Sequence, residues 1–279
     1  MIIDIHAHLL SPHFSLADNK LNFWNKLLYW KLGIKDFASF SKKMIFDLKI
    51  SPVDKVVLCA VEGTPLAANN QETLAYCKRC RNFLYAPNLN PLSKNFKDDI
   101  NEAVMNDAVL VKVLPSFQCV DLSDERCRPF FKELVKYKLP LLVHTGVEHT
   151  FKGNNNLNNP LLLEKAAQMG VTIICAHCGC PMMLHEKSFF KEWIYLAKKY
   201  PNVYGDVSGF SGYVRHLWLS KILKDPSLKD KILFGTDCPS FPYLFRKTHN
   251  MFSDWVDFFR KEGCSEEFFL RSERILNAK

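Results

Sequence analysis

The stretch MIIDIHAHLL, residues 1–10, decides between two architectures. An apolar run at 1–5 leads straight into two histidines one residue apart, His6 and His8. A doubly wound open sheet would place a glycine-rich phosphate turn after its first strand. DIHAHLL stands there instead, which favours the other parallel-sheet architecture, the closed barrel. Short apolar, β-rich runs separated by helical stretches mark repeated βα units. After 1–5 they recur as KVVLCAV (55–61), NFLYAPN (82–88), VLVKVL (109–114), PLLVHT (140–145), VTIICAH (171–177), NVYGDVS (202–208) and KILFGTD (231–237). Eight runs predict an α/β fold, a single (β/α)8 TIM barrel, whose usual length is about 250 residues. The chain has 279, so residues 1–279 read as one domain.

The segments between the runs carry helical periodicity. NQETLAYCKRCRNFL, DERCRPFFKELVKYK and NPLLLEKAAQMG each open on a capping-type residue or carry a proline near the first turn. The glycine of KAAQMG is placed as a C-cap. One connection breaks the rhythm: residues 9–54 exceed the usual βα length and hold the aromatic-rich NFWNKLLYWKLGIKDFASF. Loops that follow barrel strands build the active face. This insertion between strands 1 and 2 is therefore either a pair of amphipathic helices packed on the barrel or a cap over the substrate.

Composition narrows the class. With 48% hydrophobic and 24% charged residues, the chain can bury a core and is not disordered. The net charge of +8 would suit a polyanion only if concentrated on one face. The lysines are spread along the chain, so no nucleic-acid partner is expected. No run reaches the roughly 18 apolar residues of a membrane helix, so no membrane partner is expected either. Ten cysteines without a charged-then-apolar leader predict a reducing, cytoplasmic location and free thiols. CKRC (77–80) and CAHCGC (175–180) lack the paired spacing of a structural zinc site and read as small buried residues. Cys178 and Cys238 adjoin candidate site residues and could tune them.

In a barrel, residues at the C-terminal ends of the strands converge although they lie far apart in sequence. His6 and His8 follow strand 1, His144 ends strand 5, His177 ends strand 6 and Asp237 ends strand 8. Alternation puts residues i and i+2 on one side, so His6 and His8 both face the mouth. With a nitrogen from His144 and an oxygen from Asp237 they make a borderline N/O donor set suited to Zn²⁺, with a position open to water. A bound zinc lowers the pKa of its water toward about 7 and polarises a carbonyl. Asp237 is placed to accept the proton of that water. His177 is placed as a general acid, with a fifth-ligand or orienting role as the alternative.

These motifs together resemble the amidohydrolase superfamily of metal-dependent (β/α)8 barrels. DIHAH resembles its strand-one signature, VHTG its strand-five histidine, AHCG its strand-six histidine and GTDCP its strand-eight aspartate. VKVLPSFQCVDLSDERCRPFFKELVKYKLPLLVHTG and the closing SEEFFLRSERILNAK are similar to the amidohydrolase-related branch, which includes barrels of the aminocarboxymuconate-semialdehyde decarboxylase and pyrone-dicarboxylate lactonase type. The resemblance implies a mononuclear site of His6, His8, His144 and Asp237, with His177 catalytic and unligated. It also implies either of two reactions: hydrolysis of an amide, ester or lactone, or non-oxidative decarboxylation.

One departure stands out. The branch commonly carries Lys-Leu-His-Pro at strand 4, whereas this chain reads KVLP at 112–115. Lys112 is therefore either a carbamylated bridge between two metals, as in binuclear relatives, or an unmodified lysine that pairs within the barrel or meets an anionic substrate. Arg215, Arg246 and Tyr243 lie in the loops after strands 7 and 8 among Phe210, Tyr213, Trp218 and Phe241. An arginine fork beside aromatic rings suits a planar carboxylated substrate; surface arginines are the alternative. His149, His185, His216 and His249 have no strand-end position and receive no role. The expected protein is a metal-dependent hydrolase acting on a C–N or C–O bond of a small, carboxylated molecule. A decarboxylase on the same site is the runner-up, and intact site residues count against a catalytically silent barrel. A homo-oligomer is left open.

Overall fold

The computed structural model describes residues 1–17, 26–27, 29–30, 32–148, 153–210, 213–239 and 250–276. Eight strands follow in chain order: β1 (Ile3–Ala7), β2 (Lys55–Cys59), β3 (Phe83–Ala86), β4 (Val111–Val113), β5 (Leu141–His144), β6 (Ile173–Ala176), β7 (Val203–Asp206) and β8 (Ile232–Leu233). Each overlaps its predicted run. All pair in parallel, in two arcs, β1 to β3 and β4 to β8. Single bridges join the arcs: Asn88 with Lys112 between β3 and β4, and Ala7 with Cys238 beyond β8. The ring thus closes, which removes the edges that an open sheet would expose.

Helices alternate with the strands: α1 (Phe37–Lys49), α2 (Asn70–Arg79), α3 (Phe96–Met105), α4 (Arg128–Tyr137), α5 (Glu164–Gln168), α6 (Phe190–Lys199), α7 (Tyr213–Lys224) and α8 (Ser253–Lys261). A final helix, α9 (Glu266–Leu276), closes the chain against β1 and β8. Local chemistry sets their starts. Asp36 and Asn69 each accept the backbone N–H three residues on and complete a capping box for α1 and α2. Pro129 opens α4, and Gly170 takes the left-handed conformation just past α5 (φ +88°), as its C-cap position predicts.

Alternation along the strands divides the core. Ile3, Ile5, Val57, Cys59, Ala86, Leu110, Leu142, Ile174, Ala176 and Leu233 fill the barrel interior. Their neighbours, such as Val56, Val111, Leu141 and Ile173, face the helices. Residues of the first set project from successive strands into one interior cluster, as barrel geometry requires. In β1 this alternation is interrupted. Asp4 pairs with Val56 but Ala7 pairs with Leu58, so three residues span what two span on β2. The extra residue reverses the facing of the chain, and His6 and His8 follow Ile5 into the barrel mouth.

The 9–54 insertion contributes one described long helix, α1, and a loop whose limbs meet at Ser15 and Asp36. Phe14, Leu32, Ile34, Phe40 and Met44 bury the insertion against the barrel. Asp47 on α1 is itself buried. Its carboxylate accepts the N–H of Met251 (2.8 Å), and its backbone carbonyl accepts Asn250 Nδ2 (2.9 Å). This ties α1 to the segment where the chain returns from strand 8. Among the described residues no helix is long and apolar enough to cross a membrane.

Candidate metal centre

Above the apolar interior layer, the next residues of the strands are polar. His6 Nε2 lies 3.2 Å from His8 Nε2, and Asp237 Oδ1 lies 3.6 Å from the first and 3.4 Å from the second. A tetrahedral ion with bonds near 2.0–2.1 Å spaces its donors about 3.4 Å apart, so the three atoms have the separation of donors around one ion.

The hydrogen bonds behind the rings fix which nitrogen is free. His6 Nδ1 donates to Asp206 Oδ2 (2.9 Å), with Ser208 Oγ at 3.0 Å. His8 Nδ1 donates to the carbonyl of Cys59 (2.8 Å). A carbonyl or carboxylate oxygen only accepts, so both protons sit on Nδ1 and both Nε2 lone pairs face the same point. Two imidazole lone pairs at this separation repel unless a cation lies near them. Burial, with Lys112 alongside, also lowers the pKa of His6, which keeps the ring neutral.

Asp206 is the residue that organises the group, and the sequence reading did not single it out. It is fully buried, and burial alone would raise its pKa. Contacts with His6 and with the N–H groups of His177 and Ser208 outweigh burial and hold the carboxyl below its usual range. Ser208 Oγ also donates to Asp206 and receives His177 Nδ1 at 2.8 Å. One carboxylate thus orients strands 1, 6 and 7. The signal was present as the acid ending the run NVYGD, by the same logic that drew attention to Asp237. Asp4 plays a similar part beneath. It accepts the N–H of His6 (3.1 Å) and both the N–H and the hydroxyl of Thr236, and burial pushes its pKa up to about 7.

The remaining predicted residues divide. His177 Nε2 lies 3.9 Å from Asp237 Oδ2, with its ring stacked 5.4 Å from that of His6. His144 stands apart from the His6, His8 and Asp237 group: its nearest acid is Glu148, Oε2 at 3.5 Å, and its buried Nε2 has no hydrogen bond. Burial lowers its pKa to about 4, so this ring too is neutral and its lone pair is available. Glu148 escaped notice because it belongs to the loop after β5 rather than to the strand. Lys112 is buried, and its Nζ donates to His6 Nε2 at 2.9 Å.

Arg215, on α7, is 6% exposed. Among the described residues its Nη1 reaches only the carbonyl of Ser208 at 3.5 Å, and its Nε has no hydrogen-bond partner. The guanidinium lies against Gly209, where a Cβ would sit 2.3 Å from Nη1 and displace the end of the arginine side chain. Arg246, Tyr243 and Phe241 lie outside the described residues, as does the side chain of Tyr213. Tyr29, from the insertion, packs against Phe14 at 4.9 Å. Burial and the nearby Cys238 and Asp237 raise its pKa, so it remains a neutral phenol beside the site.

Three of the six described non-glycine residues with positive φ lie at the same place. His177 (φ +60°), Cys178 (φ +51°) and Asp237 (φ +62°) are non-glycine residues in the left-handed region, each at a cost of order 1–3 kcal/mol. The ten cysteines are free, and the donor groups with metal-like spacing among the described residues contain none of them.

Fold and site thus define a (β/α)8 barrel with a histidine and aspartate donor cluster at the C-terminal ends of its strands. A family model described as amidohydrolase matches residues 3–268, and the chain belongs to that family. No curated protein matches it in sequence. Solved structures share the fold. The TIM-barrel protein Bb4693 from Bordetella bronchiseptica superposes with a TM-score of 0.68 at 16% identity, over 99% of this chain and 95% of that one. A protein from Pseudomonas putida assigned as a 2-pyrone-4,6-dicarboxylic acid hydrolase gives 0.66 at 16% identity, over 98% and 96%. The 5-carboxyvanillate decarboxylase of Novosphingobium aromaticivorans, complexed with manganese and a nitrobenzoic acid, gives 0.61 at 12% identity, over 99% and 96%.

Proposed function

We propose that the protein is a single-domain, metal-dependent hydrolase that cleaves an amide, ester or lactone bond of a small carboxylated substrate. The observation that carries this reading is the convergence of two histidine lone pairs, fixed by Asp206 and the Cys59 carbonyl, with a carboxylate oxygen of Asp237. His6, His8 and Asp237 would hold the ion, with His144 as the fourth donor. A donor set of imidazole nitrogens with one carboxylate would suit Zn²⁺, although the decarboxylase relative was solved with manganese. One ion is proposed, and two only if Lys112 is carbamylated. Such an ion supplies Lewis acidity and a nucleophilic water at neutral pH.

The chain's own groups then have distinct tasks. Asp237 Oδ2, the oxygen turned toward His177, takes up the proton released as water attacks. Its pKa lies well below the usual range: burial would raise it, but contact with His8, His6 and His177 prevails, so it is ionised and ready to accept. His177 is held by Ser208 through Nδ1, which leaves Nε2 toward Asp237 and the leaving group, in position to pass the proton on. Arg215, buried and under-partnered, supplies a fork for a substrate carboxylate. A substrate of that kind also agrees with the dicarboxylate named for the Pseudomonas relative.

Decarboxylation on the same residues is the second reading, supported by the likeness to the carboxyvanillate enzyme. A screen of lactones, esters, amides and aromatic carboxylic acids separates the two. Hydrolysis consumes water and releases an acid or amine, while decarboxylation releases carbon dioxide without consuming water. Turnover of a lactone, ester or amide with no carbon dioxide supports the first reading; carbon dioxide release from an aromatic acid replaces it with the second.

A further inference from the structure

A cation of the chain itself lies at the proposed donor cluster, on the lone pair of His6 that a metal would use. Lys112 is 1% exposed, and its ammonium donates to His6 Nε2 at 2.9 Å, closer than either His8 Nε2 (3.2 Å) or Asp237 Oδ1 (3.6 Å). Its backbone is fixed on both sides, N–H to Pro87 and carbonyl from Leu89 and Asn88, so only the side chain can move away. Two carboxylates, the buried Asp206 and the partly buried Asp237, both contact His6. Buried charges of one sign require a partner. Among the described residues, Lys112 and Arg215 are the cations facing this cluster, and only Lys112 reaches a histidine that would bind the metal.

We propose that Lys112 is the resident cation of the unloaded centre and exchanges with the metal, so that loading requires its ammonium to leave His6. The ion and the ammonium cannot share one lone pair. The apparent affinity for metal is therefore reduced by the fraction of molecules in which Lys112 occupies it. The lysine keeps the donor cluster assembled when metal is scarce and makes loading selective for ions that bind strongly enough to displace it. This rests on the reading of His6, His8 and Asp237 as metal ligands.

The test measures metal binding, not turnover. Chelator-stripped wild type and Lys112→Met are titrated with Zn²⁺ against a competing chromophoric chelator, and bound metal is counted by mass spectrometry. The expected result is an unchanged stoichiometry and an affinity about tenfold or more tighter in Lys112→Met. The stripped variant should also melt below stripped wild type and gain more on zinc addition. Should Lys112→Met not fold, Lys112→Leu, which has neither charge nor hydrogen-bond donor, carries the same expectation. Weaker binding or a lower stoichiometry in the variant would make Lys112 a ligand and overturn the proposal, and equal affinity would make it a bystander. The ligand reading fails separately, if His6→Ala with His8→Ala binds zinc as wild type does.

Discussion

Two adjacent layers of one barrel obey opposite rules. In the interior layer, Ile5, Val57, Leu110, Leu142, Ile174 and Leu233 are buried, apolar and complete among themselves. One step further along the same strands, His6, Lys112, His144 and Asp206 are also buried but polar, and the layer holds an orphaned imidazole nitrogen, an under-partnered arginine and strained backbone. The first layer gains free energy by excluding water. The second spends some of that stability to hold lone pairs and charges in fixed places, which is worth doing only if something binds there. Stability and function should therefore respond to different substitutions.

The largest separation is expected from the lower layer. Leu142→Ala should cost about 2–5 kcal/mol of folding stability, read from denaturant unfolding, while the metal bound per folded chain stays unchanged. A variant that loses metal in proportion to its stability would mean that the layers are not independent.

Asp206→Asn reverses the test. The amide can no longer accept from His6, Ser208 and the N–H of His177 as a carboxylate does, so His6 loses its fixed tautomer. Metal affinity should fall between about tenfold and a hundredfold. Unchanged affinity would remove Asp206 from its organising role.

The smallest of these effects belongs to Arg215, which touches neither layer's hydrogen bonds strongly. Arg215→Met should leave metal content intact and raise KM about tenfold for a carboxylated substrate, with little change for the corresponding neutral ester or amide. Equal losses for both substrates would show that the arginine supports structure rather than recognition.

The same contrast explains what could be read from the sequence. The interior layer was legible because period-two apolar runs name both the strand and its face, and all eight runs became strands. The histidines and Asp237 were legible because strand ends converge in any barrel. Asp206 ends its run as Asp237 does and could have been flagged on that ground, but the contacts that it and Ser208 make with His6, some two hundred residues away, are encoded by no local pattern. The irregularity in β1 was also hidden. Strict alternation from Ile3 and Ile5 would have turned His6 away from the mouth, and only the register with β2 reveals the added residue. Periodicity gave no sign that Lys112 meets His6, or that His144 stands beside Glu148. Those pairings depend on side-chain reach across the barrel.

The central claim is that His6, His8 and Asp237 form a metal centre, and metal analysis of protein purified without chelators tests it most directly. The account predicts about one transition-metal ion per chain in the wild type and less than about a tenth of that in a folded His6→Ala, His8→Ala variant. A metal-free wild type, or a variant that retains its metal, would contradict it.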